Sequence, residues 1–220
     1  MKKRDVRSSR EQIFGLAILG AVIGFSSFTS NAAPQYDYNV TDSEFGASGT
    51  DTAFDNDAFQ KAFDKVVGSD KMVTIYVPAG TYYVEKPLRV YSNTHLILDD
   101  KAVVARKGEG LNNNLLHNCD QNGKMDQVGG YDMSHDIILE GGTWDGGKLS
   151  EITSSSDVLR FDHAENITIK KCTMKNTYDC HILEFIGVKN GLVTGCTFEG
   201  FRYRKGKENN YEYAREDFQL

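Results

Sequence analysis

A short segment near Asp179 contains four residues whose types can carry chemistry. Asp179, Cys180 and His181 are consecutive, and Glu184 follows after two apolar residues. A carboxylate beside a histidine can tune the histidine pKa for proton transfer, so we select His181 and Glu184 as candidate binding residues. The alternative is structural, because a single histidine beside a strand is more often a packing residue. A nucleophilic Cys–His pair is disfavoured, because neighbouring residues of a strand point to opposite faces.

A second group of candidates lies in the polar segment from residue 106 to residue 132. Carboxylate and amide oxygens in this segment could ligate Ca²⁺: Asp120, Asn122, Asp126 and Asp132. Their spacing does not match an EF-hand loop, and a long polar segment is typical of a functional or disordered loop. We therefore expect a polar loop here, and the residues themselves lead us to assign no metal ligand and no cofactor.

A ten-residue phrase occurs three times and indicates which elements would position these residues. It reads HDIILEGGTW from His135, ENITIKKCTM from Glu165 and KNGLVTGCTF from Lys189, so its starts lie 30 and then 24 residues apart. Position nine is threonine in every copy: Thr143, Thr173 and Thr197. A period of this length indicates stacked supersecondary units.

The pattern inside the phrase predicts a strand, a corner and a second strand. Positions three and five of the first two copies are aliphatic and have polar neighbours, as in a half-buried strand. Positions eight and ten should point inward, and the threonines between them should face outward and stack between coils. The side chains at position two can hydrogen-bond to local backbone or to one another when the coils stack. These residues are Asp136, Asn166 and Asn190. We predict a right-handed parallel β-helix.

One amphipathic helix precedes the repeats. We predict it between Thr52 and Gly68, with Asp55 as the N-cap and Gly68 at the end. Phe59 and Phe63 lie on its apolar face and should pack on the first coil, because a solenoid needs its apolar end covered. Strands are predicted at 73–77, 81–84, 88–90 and 96–98.

The N-terminus has the organisation of a secretory signal peptide. Basic residues precede an apolar run from Ile13 to Phe25, and small residues precede a cleavage site after Ala32. We predict residues 1–32 as the signal peptide and 33–43 as a linker. The alternative is an uncleaved anchor, but the run is short for a span of about 20 apolar residues. The net charge is −6 and cleavage removes mainly basic residues, so neither nucleic acid nor a membrane is expected as a partner of the mature chain.

Four cysteines follow the predicted cleavage site: Cys119, Cys172, Cys180 and Cys196. An even number in an exported chain permits disulfides. Cys172 and Cys196 both occupy position eight of the phrase, however, so they should be neighbours in a stacked ladder. We favour small core residues over a disulfide bridge, because a chain of this size does not depend on cross-links.

Three segments together carry a family resemblance. They are EFGA from Glu44 with the following Asp51-Thr52, VTIYVPAGTY from Val73, and ILEGGTWDG from Ile138. These segments resemble the pectin-lyase-like β-helix superfamily, which includes pectate lyases and polygalacturonase-like glycoside hydrolases. The resemblance spans residues 44–220. It implies an all-β, single-stranded right-handed parallel β-helix with an N-terminal capping α-helix and a carbohydrate groove along one face.

The resemblance also implies a function. It favours an exported protein, secreted or at the cell surface, that acts as a glycoside hydrolase on pectin-like or other acidic polysaccharide. The alternatives are a non-catalytic surface or carbohydrate-binding β-helix protein, and a polysaccharide lyase, for which Ca²⁺ would be the cofactor.

The catalytic motifs of the polygalacturonase-like branch (NTD, DD, GHG and RIK) have no matching counterpart in this chain. Glycoside hydrolysis requires two carboxyl groups. Glu216 and Asp217 fall where the catalytic segment of that branch would begin, so they are the candidate catalytic residues. We expect the chain to be the N-terminal part of a longer protein whose main catalytic residues follow Leu220, and we expect this part alone to be inactive.

Overall fold

The computed structural model describes residues 34–108, 114–125, 129–147, 155–202 and, for the backbone alone, 218–219. Within these residues the chain forms one helix, α1 (Asn56–Asp64), and sixteen strands. The strands are β1 (Tyr38–Asn39), β2 (Val73–Val77), β3 (Gly80–Val84), β4 (Leu88–Val90), β5 (Thr94–Leu98), β6 (Ala102–Arg106), β7 (Leu116–Asn118), β8 (Ser134–Glu140), β9 (Thr143–Asp145), β10 (Leu159–Asp162), β11 (Ala164–Lys170), β12 (Thr173–Tyr178), β13 (Leu183–Ile186), β14 (Lys189–Thr194), β15 (Thr197–Arg202) and β16 (Phe218–Gln219).

The strands form three parallel sheets, and each full coil of the chain contributes one strand to each sheet. Sheet A has the order β1-β2-β5-β8-β11-β14, sheet B has the order β3-β6-β9-β12-β15, and sheet C has the order β4-β7-β10-β13-β16. The protein is therefore an all-β, right-handed parallel β-helix with one helix near its N-terminal end, as predicted from the sequence.

Aliphatic side chains stack from coil to coil on the inner side of sheet A. Ile75 pairs with Leu96, Leu96 with Leu139, Leu139 with Ile169, and Ile169 with Val193. The first four are fully buried and Val193 is half-buried. Burying one such side chain contributes about 1.5–3 kcal/mol relative to full exposure. The prediction that position five of the phrase faces the core is confirmed.

The corner between sheets A and B also repeats as predicted. Thr143, Thr173 and Thr197 are paired in register on the outer side of sheet B. The sulfur atoms of Cys172 and Cys196 each lie against a sheet A carbonyl of the preceding coil, at 3.7 Å and 3.6 Å. The four cysteines named in the sequence analysis are free thiols in the structure, and of the two at position eight Cys172 is buried and Cys196 is half-buried.

Asp136, Asn166 and Asn190 form a ladder near the start of the sheet A strands. Asn190 Nδ2 donates to Asn166 Oδ1 at 3.0 Å, and Asn166 Nδ2 donates to Asp136 Oδ1 at 2.9 Å. All three residues have positive φ values of 54–59°. Asn and Asp adopt this left-handed conformation more readily than other residues with a side chain. The predicted stacking at position two is confirmed.

Helix α1 covers the apolar side of the first coil. Phe59 and Phe63 are fully buried, and the Phe59 ring meets the Tyr82 ring of β3 edge-on at 5.5 Å. The predicted packing of these two side chains is therefore confirmed, although α1 is shorter than the predicted helix. Within the described residues, no helix combines the length and the apolar character that crossing a membrane requires.

Asp55 occupies the predicted N-cap position, where its backbone carbonyl accepts the Phe59 N–H at 3.0 Å, but the predicted capping by its side chain is wrong. Its side chain makes no capping hydrogen bond to the helix. The carboxylate instead accepts the backbone N–H groups of Ser48 at 2.8 Å and Tyr83 at 3.1 Å. Because those donors belong to the preceding segment and to β3, Asp55 joins the segment before the helix to the first coil.

The predicted linker at 33–43 is wrong for its second half. Tyr38 and Asn39 form β1, which extends sheet A by pairing with β2, and Val40 is fully buried. The backbone N–H of Asp37 also donates to the Thr74 carbonyl at 2.8 Å. The folded part of the chain therefore begins before Glu44, because edge pairing orders a segment that has no periodic pattern of its own.

The predicted polar loop from residue 106 to residue 132 is likewise interrupted by a strand. Leu115 and Leu116 are fully buried, and β7 pairs with β4 and β10 in sheet C. The two leucines supply the apolar contact that a coil of the β-helix requires at this level, so the segment contains part of the second coil.

Candidate functional site

A buried group of charged side chains lies on the outer side of sheet C. Alternate apolar residues of β10 point into the core, so Arg160 and Asp162 point outward from the same strand. The parallel register places His117 of β7 and Glu184 of β13 on either side of Arg160. We call the group the sheet C cluster and define it by its members: His117, Asp157, Arg160, Asp162, Cys180, His181 and Glu184.

Arg160 joins three carboxylates of the cluster. Its Nε lies 3.0 Å from both oxygens of Asp162, and a terminal nitrogen lies 2.7 Å from Glu184 Oε2 and 3.7 Å from Asp157 Oδ2. On the other side of Asp162, His117 Nε2 lies 3.2 Å from Oδ2. The three acidic residues are at most 9% exposed. Their charges are therefore poorly screened by water and depend on these partners.

The cluster moves the pKa values of two carboxyl groups in opposite directions. Burial and the neighbouring Asp157 raise the pKa of Glu184 to about 7, against the opposing charge of Arg160. Burial also acts to raise the pKa of Asp162, but the hydrogen bond and charge of His117, together with Arg160, outweigh burial and lower that pKa. Neighbouring carboxyl groups with separated pKa values are an arrangement suited to proton transfer.

Asp157, Cys180 and His181 bring three potential metal ligands together between adjacent coils, with their ligand atoms within 4.8 Å of one another. Cys180 Sγ lies 2.8 Å from Asp157 Oδ1, and His181 Nδ1 lies 3.3 Å from the same oxygen. Burial and the charge of Asp157 raise the pKa of the Cys180 thiol to about 12. The protein alone therefore holds Cys180 as a protonated thiol beside the carboxylate.

A groove with a volume of about 590 Å³ follows the outer side of sheet B. The register aligns one row of outward positions along it, namely Tyr83, Ala105, Asp145 and Lys175 on four successive coils. Because neighbouring strands lie about 4.8 Å apart, this row is about 14 Å long. The groove can therefore accommodate an extended ligand that runs along the axis of the β-helix.

The groove has an aromatic part and a charged part. Lys107 Nζ lies 4.8 Å from the centre of the Tyr83 ring and 5.7 Å from that of Phe54. In the later coils, Asp145 accepts a hydrogen bond from Asn176 Nδ2 at 2.7 Å, and its second oxygen lies 3.5 Å from Lys175 Nζ. Phe54 does not line the groove but contacts Lys107 at its edge, and because this side chain is 45% exposed its ring presents surface to solvent there.

The structure places the residues selected from the sequence as follows. His181 and Glu184 lie together in the sheet C cluster, with 3.5 Å between Nδ1 and Oε1. Glu216 and Asp217 lie outside the described residues. Of the residues considered for Ca²⁺, Asp126 is also outside, and Asp120 Oδ1 accepts two local backbone N–H groups at 2.8 Å, which closes a turn.

Sequence reasoning missed Asp157, Arg160, Asp162 and His117. A usable signal exists for Arg160 and Asp162, because charged residues alternate with apolar ones in the segment LRFD from Leu159, whereas Asp157 lies before the alternation begins. Such alternation indicates a strand that carries charge on its outer face. His117 follows two buried leucines in a short strand and has no comparable signal.

Comparison with known families gives a match over most of the described chain. A family model described as rhamnogalacturonase A/epimerase, pectate lyase-like, matches residues 38–176. Plasmin and fibronectin-binding protein A of Streptococcus pneumoniae (strain ATCC BAA-255 / R6) is 29% identical over 191 residues, which covers 80% of this chain and 26% of that protein. The chain thus spans about a quarter of the length of this curated relative.

Solved structures include similar folds. The Streptococcus pneumoniae surface protein and adhesin PfbA superimposes with a TM-score of 0.69 at 26% identity, covering 83% of this chain and 45% of that one. The A-module of the Azotobacter vinelandii mannuronan C-5 epimerase AlgE4 gives a TM-score of 0.54 at 15% identity, covering 76% and 53%. At that identity the second likeness concerns the fold alone.

Proposed function

Because the chain belongs to the rhamnogalacturonase A/epimerase, pectate lyase-like family, we propose that it forms the sugar-binding groove of an exported polysaccharide-active protein. The proposed activity is that of a glycoside hydrolase, and the proposed substrate is a pectin-like or other acidic polysaccharide. The groove on sheet B is the observation that carries this proposal, because it follows the axis of the β-helix over four coils.

The side chains of the groove support an acidic sugar chain as the ligand. The amphipathic ring of Tyr83 and the apolar ring of Phe54 can each stack on the apolar face of a sugar ring. Lys107 is held over both rings and supplies a cation for a uronate carboxylate. Lys175 supplies a second cation in the fourth coil.

Hydrolysis of a glycosidic bond requires two carboxyl groups. Asp145 lines the groove and is bonded on both oxygens, so its carboxylate is held in a defined orientation. We propose Asp145 as one of the two groups. Glu216 and Asp217 remain the candidates for the other group, since they follow the last sheet B strand in the chain.

Binding to polygalacturonate tests the groove. Replacing Tyr83 with Ala should lower the affinity roughly tenfold, because a stacking partner and the support for Lys107 are lost together. Affinity gel electrophoresis of the full chain on polygalacturonate provides the measurement. Tyr36→Ala is the matched control, since that ring is exposed but stacks on Tyr76, on the outer side of sheet A. Equal affinities of the two variants would exclude the groove as the binding site.

The reaction is tested separately from binding. Release of reducing ends that is abolished by Asp145→Asn supports hydrolysis, whereas unsaturated products support a lyase. Binding without turnover supports a carbohydrate-binding protein. Each result leaves the groove in place and changes only the chemistry that is assigned to it.

A surface adhesin is the second candidate function, and it rests on one observation. The relative that is 29% identical is named for binding plasmin and fibronectin, and its structure is that of a surface protein. With the predicted signal peptide, this relative also supports a location at the cell surface. Immobilised fibronectin and plasmin, compared with polygalacturonate under the same conditions, distinguish the two candidates by which ligand retains the protein.

A further inference from the structure

Two connections of adjacent coils meet beside the sheet C cluster. Asp157 is separated from β10 by Val158, and Cys180 and His181 lie in the connection before β13. Two hydrogen bonds join these connections, one between backbone groups and one to a side chain: Val158 N–H donates to the His181 carbonyl at 3.3 Å, and His181 N–H donates to Asp157 Oδ1 at 3.0 Å. The side chains of the two connections are therefore positioned by the frame of the β-helix.

One nitrogen in this group lacks a hydrogen bond. His181 is only 6% exposed, and within the described residues its Nδ1 has no hydrogen-bond partner. Asp157 Oδ1 and Glu184 Oε1 lie 3.3 Å and 3.5 Å from that nitrogen without forming such a bond. A buried polar atom without a partner destabilises the folded state. The nitrogen faces the oxygen atoms that would share a cation with it.

We infer that Asp157, Cys180 and His181 form a binding site for a divalent transition-metal ion of the Zn²⁺ type, and that Glu184, 3.5 Å from His181 Nδ1, is the carboxylate available for the fourth position. A thiolate, an imidazole and carboxylates are the ligands that Zn²⁺ takes in four-coordinate sites. Ca²⁺ is excluded as the preferred ion, because it is bound by oxygen ligands alone. The inference does not depend on the proposed function, since none of the four residues is among those that line the sheet B groove.

The distances agree with a tetrahedral site. Zinc binds nitrogen and oxygen at about 2.0–2.2 Å, so adjacent ligand atoms on a tetrahedron lie about 3.4 Å apart. The separations of 3.3 Å and 3.5 Å around His181 Nδ1 match that value. The 2.8 Å between Cys180 Sγ and Asp157 Oδ1 is the length of a thiol–carboxylate contact, and it must widen by less than about 1 Å when a metal ion replaces the thiol proton.

A metal ion at this position would join two coils. Asp157 belongs to the connection before β10, whereas Cys180 and His181 belong to the connection before β13. The ion would also reduce the negative charge of Asp157 and Glu184, which Arg160 partly balances. We therefore expect bound metal to raise the thermal midpoint of unfolding, because a ligand that binds the folded state stabilises it by mass action.

The test is a titration of the full chain, stripped with a chelator, with Zn²⁺ and separately with Co²⁺. We expect one ion per chain, a rise in the melting temperature with Zn²⁺, and a near-ultraviolet thiolate-to-cobalt absorption band. Cys180→Ser should remove that band and lower the Zn²⁺ affinity at least tenfold, since even loss of a group outside the ligand set costs about 10–100-fold. His181→Ala should have a similar effect on affinity.

Two controls keep the test specific. Cys119→Ser removes a buried thiol outside the site, and His135→Ala removes an exposed imidazole, so both variants should bind Zn²⁺ like the parent chain. Cys180 is half-buried and serine is close to it in size, so Cys180→Ser remains informative if His181→Ala does not fold. The inference is overturned if the parent chain binds no stoichiometric ion, or if the cobalt band persists in Cys180→Ser.

Discussion

Two kinds of connection flank sheet B, and they differ in how much their length varies from coil to coil. The corner from sheet A to sheet B is short in every coil: 78–79, 99–101, 141–142, 171–172 and 195–196. The connection from sheet B to sheet C varies from three to fifteen residues: 85–87, 107–115, 146–158, 179–182 and 203–217.

The difference separates the parts of the chain that build the frame from those that carry chemistry. In the last three corners the first residue has a positive φ, and none of these residues carries a catalytic group: Gly141, Lys171 and Gly195. Asp157, Cys180 and His181, in contrast, lie in the variable connections. The repeated phrase therefore marks the frame, and the departures from the repeat mark the candidate sites.

Replacing Arg160 with Met should have the largest effect on stability. The change leaves Asp162 and Glu184 buried without their cation, which costs about 3–5 kcal/mol. The free energy of unfolding from urea titration is the measurement. Arg89→Met is the matched control, because Arg89 occupies the same outward row on β4, and it should cost less than about 1 kcal/mol. Similar losses of stability in both variants would contradict the claim that Arg160 stabilises the fold by pairing with buried carboxylates.

Replacing Gly142 with Cys tests how strictly the short corner is specified. Position eight holds Cys in the next two coils, but Gly142 has a φ of 60°, and an added Cβ would lie 2.5 Å from Leu98 Cβ. We expect a loss of about 2–4 kcal/mol in the free energy of unfolding, from left-handed strain and overlap together. Gly68→Ala isolates the strain, since its φ is 75° and no atom lies within 4 Å of the added Cβ. Equal losses would show that overlap at the corner is unimportant.

The Asx ladder should contribute less, and two variants of Asn166 divide its contribution. Asn166→Gly removes the hydrogen bonds to Asp136 and Asn190 but keeps the positive φ accessible, so it should cost about 1 kcal/mol. Asn166→Ala also adds left-handed strain and should cost about 1 kcal/mol more. Chemical denaturation of both variants gives the values. If Asn166→Gly were less stable than Asn166→Ala, the positive φ at this position would not be a source of strain for residues with a side chain.

The smallest effect is expected on the outer side of sheet A. Burial acts to raise the pKa of Glu140, but Lys170 and His95 outweigh it and lower the pKa below 4.5. A lowered pKa stabilises the folded state above pH 4.5, and this contribution is lost as the pH falls through the folded value. Glu140→Gln should therefore cost less than about 1 kcal/mol at neutral pH and nothing in strong acid. If the loss of stability caused by Glu140→Gln grew as the pH fell, the folded-state pKa of Glu140 would be raised instead of lowered.

The regular part of the fold could be predicted because it is encoded locally. The aliphatic stack, the threonine register and the Asx ladder each follow from one position of the phrase, and the buried face of α1 follows from the spacing of Phe59 and Phe63. In each case the residues that determine the feature lie within a few positions of one another. Stacking in register then repeats the feature from coil to coil.

The remaining features depend on contacts between distant segments. Asp55 has the sequence context of an N-cap, but its carboxylate accepts N–H groups that include one 28 residues away. His117 and Asp162 meet across 45 residues, and Arg160 and Glu184 meet across 24. Which side chains face each other depends on the lengths of the connections between sheets B and C. Those lengths have no period from which the register could be derived.

The constant corner also has an evolutionary consequence. His117, Arg160 and Glu184 stay aligned on sheet C, although the connections that lead to them have different lengths. Doubling the length of a flexible connection costs only about 0.6 kcal/mol in closure entropy. Insertions and deletions on this side of the β-helix should therefore be nearly neutral for folding. A lineage that carries this frame can accordingly change its binding surfaces by loop exchange while selection keeps the corner unchanged.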